Sequence, residues 1–119
     1  MTFESRDPAY LWDMLDAAQS IQSFTAGVDQ EAYLKNQMMQ YAVERQLGVI
    51  GEAARRVSEG FKKTHPEIPW REIIAQRNVL THQYGEIRHD RIWQVITADI
   101  PALVSFLKPL IPPLPPEEP

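Results

Sequence analysis

The chain has 119 residues, of which 44% are apolar and 24% charged, as expected for a soluble globular protein with one hydrophobic core. It contains no cysteine, which excludes disulfides, zinc–thiolate sites and thiol nucleophiles. Its net charge of −4 opposes non-specific binding to nucleic acid, so any such contact requires a local basic patch. No apolar run approaches the roughly 20 residues of a membrane span, and the N-terminus lacks a signal-peptide pattern. We therefore expect a cytoplasmic protein.

The first predicted helix starts near the N-terminus. Asp7 is expected to be its N-cap, with Pro8 at the first helical position. Its apolar stripe runs to Ile21, and a turn over residues 23–28 contains Gly27.

A second, long helix carries the strongest periodic signal in the chain. Asp29 is expected to cap it, and Gly60 is expected to mark fraying at its end. The stripe recurs every three or four residues and consists of Met39, Val43, Leu47, Ile50, Ala54, Val57 and Phe61. So wide an apolar surface must cover more than one neighbouring helix.

The second half of the chain predicts two further helices. The third opens at Pro69-Trp70 after a connector over residues 62–69 and runs to about Thr81, before Gly85. The fourth is capped by Asp90, and Pro101 should kink or split it. These elements predict an all-α, four-helix up-and-down bundle over residues 1–110, followed by a disordered, proline-rich acidic tail over residues 111–119.

The segment RNVLTHQY, residues 77–84, holds the candidate site. Trp70, Ile73, Arg77 and Leu80 share one helix face, so a cation occupies an apolar stripe. Because an unpaired buried guanidinium is costly, Arg77 must meet a carboxylate, a cleft or a partner chain. On a continuous helix Arg77 and His82 would lie roughly 140° apart, so they converge only if the helix loosens or if two chains meet across a cleft.

This set of residues suits cleavage of RNA without a metal. His82 can remove a proton from the 2′-hydroxyl or donate one to the leaving oxygen. Arg77 can hold the phosphate through two parallel hydrogen bonds, Asn78 can orient the His82 ring or contact a phosphate oxygen, and Tyr84 can stack near the substrate. Spacing alone leaves the alternative open that these residues only cap a helix and form salt bridges, which is the commoner arrangement.

Polar residues outside the segment 77–84 give weaker indications of function. His65 and His89 are expected in connectors, solvated, and the histidine spacing predicts no metal site. Glu52 is a possible partner for an arginine, although a solvated position is favoured. A basic patch could use the arginines at positions 45, 55, 56, 71, 77, 88 and 91.

Arg77-x4-His82-x-Tyr84 resembles the signature of HEPN domains. The segments Ile50-Gly51-Glu52-Ala53, Ile68-Pro69-Trp70 and Ile92-Trp93 are similar to the HepT-like toxin branch, over about residues 7–110. The resemblance implies a homodimer whose two motifs line a cleft. It further implies a metal-independent ribonuclease that is the toxin of a type II or type VII-like toxin–antitoxin module and that needs no cofactor.

The resemblance also implies roles and partners. Arg77 and His82 carry the family's catalytic roles, and Asn78 matches the polar residue that commonly follows the arginine. The implied partner is a minimal nucleotidyltransferase (MNT) antitoxin that transfers AMP to Tyr84. Two other hypotheses remain: a non-catalytic HEPN protein that binds or activates a nucleotidyltransferase, which the acidic balance favours slightly, and a plain structural dimerisation module.

Overall fold

The computed structural model describes residues 6–80 and 88–111, except for the side chains of residues 77–80. These residues are helical, with turns between the helices and no strand among them, which confirms the predicted all-α class. The helices are α1 (Asp7–Phe24), α2 (Gln30–Leu34), α3 (Gln37–Arg56), α4 (Glu59–Thr64), α5 (Trp70–Leu80), α6 (His89–Gln94) and α7 (Ile100–Leu107). A π-helical turn, Val95–Asp99, joins α6 to α7, and a 3₁₀ turn, Lys108–Leu110, follows α7. None of the described helices is both long enough and apolar enough to cross a membrane.

The core forms where α1 packs against α3 and α7, and where α3 packs against α5. Met14 and Ile21 of α1, Val43 of α3 and Leu107 of α7 are completely buried. Each side chain of this size stabilises the fold by about 1.5–3 kcal/mol when it leaves water. The two faces of α3 therefore cover two neighbours, as its wide apolar surface predicts.

The start of α1 differs from the prediction. Arg6, not Asp7, is the N-cap, and Asp7 is the first helical residue. The carboxylate of Asp7 instead accepts hydrogen bonds from the Ser58 backbone N–H at 2.9 Å and from the Ser58 hydroxyl at 2.6 Å. Asp7 is buried because it joins α1 to the junction between α3 and α4.

The predicted cap of the long helix is also wrong. Asp29 caps the short helix α2, where its carboxylate accepts from the Ala32 N–H at 2.9 Å. Helix α3 begins at Gln37, and Asn36 caps it by accepting from the Met39 N–H at 3.0 Å. Two capping residues follow each other closely in the sequence, and the apolar period does not show the break between them.

The far end of α3 comes earlier than predicted. Val57 has extended backbone angles, φ −62° and ψ 141°, and Ser58 caps α4 by accepting from the Phe61 N–H at 3.2 Å. Gly60 thus lies inside α4 instead of marking the end of the long helix. Val57 is buried and Phe61 packs against the core, so both sides of the break contribute to the same apolar stripe. The spacing of that stripe therefore continues across the break.

The fourth helical segment begins differently from the prediction as well. Its N-cap is Arg88, not Asp90. Asp90 lies in the first turn of α6, where its carboxylate accepts hydrogen bonds from the Arg88 guanidinium at 2.9 and 3.1 Å.

The α-helix is interrupted just before Pro101, where the sequence predicted a kink or a split. The π-helical turn precedes this proline, and within it the Ile100 N–H donates to the Val95 carbonyl. A proline lacks the N–H that an α-helix needs, and its ring clashes with the carbonyl four residues earlier. Widening the preceding turn relieves that clash. The tail over residues 112–119 lies outside the described part of the chain.

Candidate active site

Helix α5, which carries the motif arginine, is fixed at its first turn. The Trp70 indole N–H donates to the His65 carbonyl at 3.0 Å, and the Ile73 N–H donates to the Pro69 carbonyl at 3.0 Å. Trp70 and Ile73 are buried, as the stripe predicts. Arg77 and Asn78 lie on the last turn of α5. Their backbone position is thus set by packing of α5 against α3.

The remaining motif residues lie outside the described residues. His82 and Tyr84, like Thr81 and Gly85, belong to the stretch 81–87 between α5 and α6. Their predicted convergence with Arg77 stays a prediction. The structure does define the two flanks of this stretch, α5 on one side and Arg88 with α6 on the other.

A groove runs along α5 up to the turn that carries Arg77. Its narrow part, about 100 Å³, has apolar walls that include Ile50, Ile73 and Phe106. It adjoins a wider part of about 600 Å³ that Arg91 lines together with residues of the π-helical turn. Gln76, which precedes Arg77, lines both parts. The groove thus joins an apolar face to a more polar end beside α6.

The candidate basic patch is partly neutralised within the chain. Glu52 accepts from Arg55 and from Arg56, at 2.8 Å in each case. These hydrogen bonds lower the pKa of Glu52 to about 2. Glu52 therefore has arginine partners, and it meets them on a solvent-exposed face of α3, so both predicted environments hold together.

Three other candidate arginines are available to a ligand. Arg45, Arg71 and Arg91 are exposed, and none of them makes an ion pair with another described residue. Arg91 alone of these three lines the groove beside α5.

His65 lies in a connector, as predicted, but its side chain is only partly exposed and makes structural contacts. Its ring stacks on Phe61 with centroids 4.3 Å apart, and its Nδ1 lies 3.2 Å from Glu67 Oε2. Because its carbonyl also accepts from the Trp70 indole, His65 helps to fix the start of α5.

His89 is likewise neither in a connector nor fully solvated. It is the first residue of α6, and its Nδ1 lies 3.6 Å from Glu44 Oε2 on α3. Burial raises the pKa of Glu44, and the nearby His89 offsets this in part. Burial and the Glu44 charge also raise the pKa of Tyr33. Sequence reasoning missed this cluster, because no spacing rule connects residues from three separate helices.

Residues 6–80 and 88–111 contain no group of three or more histidine, aspartate or glutamate side chains arranged to hold a metal ion.

Comparison with known proteins defines the class to which this fold and motif belong. A family model described as "Ribonuclease HepT-like" matches residues 14–110, which include the whole motif and exclude the tail. The chain therefore belongs to the ribonuclease HepT-like family.

Individual relatives agree with that assignment. A "Probable ribonuclease HepT" of Thermococcus cleftensis is 39% identical over 94 residues, covering 79% of this chain and 86% of the relative. A "Putative RNase" of Methanocaldococcus jannaschii is 36% identical over 95 residues, covering 80% of this chain and 87% of the relative. A third relative of that name, from Caldanaerobacter subterraneus, is 29% identical over 102 residues, covering 86% and 91%. No solved structure matches the chain.

Proposed function

We propose that this protein is a metal-independent RNA endonuclease in which Arg77 and His82 are catalytic. The family match is the observation that carries the proposal, because it covers the fold and the complete Arg77-x4-His82-x-Tyr84 motif. The fixed start of α5 supports it further, since catalytic groups need a rigid element behind them.

The proposed reaction is a transfer of the phosphoryl group within the RNA strand. The 2′-oxygen attacks phosphorus while the bond to the 5′-oxygen breaks, which yields a 2′,3′-cyclic phosphate and a 5′-hydroxyl. His82 takes the 2′-hydroxyl proton or protonates the leaving oxygen. Arg77 neutralises the charge that develops on the phosphate, and Asn78 and Tyr84 support the histidine and the substrate.

A second copy of the chain is the proposed occupant of the apolar groove beside α5. The groove leads to the turn that carries Arg77, so a homodimer bound there would bring two motifs to one cleft. In this arrangement Arg77 and His82 need not converge within one chain, because each chain can supply one of the groups.

Regulation through Tyr84 completes the proposal for a toxin of a toxin–antitoxin module. An MNT-type nucleotidyltransferase would join the Tyr84 oxygen to the α-phosphorus of ATP and release pyrophosphate. The added AMP would place negative charge and bulk where an RNA phosphate must lie. Intact mass after co-expression with such a partner should rise by one or more AMP units, and an unchanged mass with an active partner and ATP contradicts this step.

The catalytic assignment is tested with purified protein, tRNA and mRNA in the presence of EDTA. We expect wild-type protein to cleave RNA and His82→Ala to lose about 10²–10⁴-fold in rate, the usual contribution of a general acid or base. Gln19→Ala is the control, because it changes an exposed side chain on α1 and leaves the helix that carries the motif unchanged. Equal rates for wild type and His82→Ala would show that the assignment is wrong.

A second candidate function is a non-catalytic partner that binds or activates a nucleotidyltransferase. The net charge of −4 and the pairing of Arg55 and Arg56 with Glu52 favour it, because both reduce attraction to RNA. A tight complex with the nucleotidyltransferase, together with no cleavage and no toxicity of the free protein, would support this function over the first.

A further inference from the structure

The wide part of the groove beside α5 is lined by polar side chains to which the proposed reaction gives no role. Arg91 and Asp99 both line this cavity of about 600 Å³. Neither of them forms an ion pair with another residue in the described part of the chain, and they do not pair with each other. The side chains of Gln76 on α5 and Gln94 on α6 line the cavity as well. A cation and an anion thus line one cavity without neutralising each other.

The π-helical turn before Pro101 explains how both charges reach the same cavity. Asp99 follows Arg91 by eight residues, which on a continuous α-helix would separate them by about 80° around the axis. Because a π-helical turn takes up one extra residue, Asp99 stands where a seventh residue would, about 20° from Arg91 and roughly 10 Å along the axis. The Thr97 hydroxyl donates to the Trp93 carbonyl at 3.1 Å, so it stabilises this turn.

The walls of the cavity and its two charges define the chemistry of a ligand. Leu47 and Ile92 are buried apolar residues in the wall, and a cavity of this volume is of the size that holds small ligands. Apolar walls suit the faces of a flat ring. The Asp99 carboxylate only accepts hydrogen bonds, and it has two oxygens that can accept two parallel N–H donors.

Guanine is the RNA base whose edge matches such a carboxylate. Its N1–H and its 2-amino group are two adjacent donors, whereas adenine, cytosine and uracil place an acceptor beside each ring or amino donor on that edge. The O6 and N7 atoms of guanine are acceptors, which suits the amide donors of Gln76 and Gln94. The pattern of charges and amides therefore favours guanine over the other three bases.

We propose that the wide part of the groove binds one guanine nucleotide of the RNA substrate. Asp99 accepts hydrogen bonds from the base, and Arg91 binds a phosphate of the same strand. The inference rests on the proposed ribonuclease function and deepens it by naming the base that is recognised. Gln76 directly precedes Arg77 on α5, so the bound nucleotide lies beside the turn that carries the motif arginine.

Charge favours a strand of RNA over a free nucleotide as the occupant. Arg91 is the one cation that lines this cavity among the described residues. A phosphodiester within a strand carries one negative charge, which one guanidinium neutralises. A free guanosine phosphate carries about two or more negative charges near neutral pH, and the Asp99 carboxylate would add to their repulsion.

The test measures binding with probes that cannot be cleaved, so its result does not depend on catalysis. The probes are labelled pentanucleotides with 2′-O-methyl riboses, UUGUU, UUIUU, UUAUU and UUUUU, and fluorescence anisotropy gives each Kd. Inosine (I) keeps the N1–H and O6 of guanosine but lacks the 2-amino group. We expect wild type to bind UUGUU about tenfold more tightly than UUIUU, and UUAUU and UUUUU more weakly still, because one hydrogen bond to a charged group is lost with inosine.

Two variants separate the role of the base contact from that of the phosphate contact. Asp99→Asn should lose most of the preference for UUGUU but bind UUUUU as wild type does, which also shows that its fold is intact. Asp16→Asn, the same exposed change on α1, should keep the preference. Arg91→Gln should weaken all four probes alike and lower the salt dependence of log Kd by about one unit of slope, whereas Lys63→Gln on α4 should do neither.

The outcomes distinguish this inference from the proposed function. Equal binding of UUGUU and UUIUU by wild type, no binding of any probe, or an undiminished preference in Asp99→Asn would overturn the guanine site. Guanosine monophosphate that competes as strongly as unlabelled UUGUU would overturn RNA as the occupant. Wild-type protein that selects UUGUU but leaves tRNA and mRNA intact contradicts the ribonuclease proposal and supports the binding site.

Discussion

Two buried regions of the molecule differ in the side chains that fill them. One is the contact between α1 and α3. The other is the place where α2, α3 and α6 meet, which we call the polar corner. The first is filled by apolar side chains such as Met14, Ile21 and Val43, all completely buried. The second contains three buried polar atoms, the Tyr33 hydroxyl, Glu44 Oε2 and His89 Nδ1, and none of them has a hydrogen-bond partner among the described residues. The apolar contact holds no ionisable group, whereas the polar corner holds a glutamate whose pKa is raised by burial.

The largest expected change in stability comes from a substitution in the apolar contact. Ile21→Ala should lower the free energy of unfolding by about 2–5 kcal/mol, because it removes a completely buried side chain and leaves a cavity. Denaturant unfolding followed by circular dichroism measures this loss. Gln19→Ala, an exposed change on the same helix, is the control and should shift stability by less than about 0.5 kcal/mol. Equal losses in both variants would show that Ile21 is not in the core.

A smaller effect of opposite sign is expected in the polar corner. Tyr33→Phe keeps the ring against Trp93 but removes a buried hydroxyl that has no partner in the described structure. The free energy of unfolding should therefore rise, by about 1 kcal/mol, because the desolvation cost of the hydroxyl disappears. The same denaturant experiment measures it. A loss of more than about 1 kcal/mol would mean that the hydroxyl makes a stabilising hydrogen bond.

The two regions also differ in how well their contacts could be predicted from the sequence. The apolar period located the core of α1, α3 and α7, because burial of a helix face leaves a repeating pattern. The sequence analysis did not predict Asn36 and Ser58 as helix caps, because the apolar stripe continues through both helix breaks. The pairing of Glu44 with His89 had no local signal at all, since tertiary packing alone brings α3 and α6 together. The arginine within an apolar stripe indicated the candidate site at residues 77–84, but its assignment relied mainly on the resemblance to a family, and that family is confirmed.

The smallest effect concerns a second glutamate on α3 and follows the opposite pH trend to Glu44. Arg55 and Arg56 lower the pKa of Glu52 to about 2, below the value of about 4.3 in an unfolded chain. A lowered pKa in the folded state gives stability that is present above about pH 4.3 and is lost as the pH falls towards 2. Burial instead raises the pKa of Glu44, so its contribution is lost as the pH rises.

Thermal melting of Glu52→Gln and Glu44→Gln beside wild type separates the two trends. We expect Glu52→Gln to melt below wild type at neutral pH and to approach it in acid, by a small margin because the ion pairs are partly exposed and screened by salt. The melting temperature of Glu44→Gln relative to that of wild type should rise as the pH rises. If both variants diverge from wild type in the same direction with pH, then Glu44 and Glu52 do not differ electrostatically as the structure indicates.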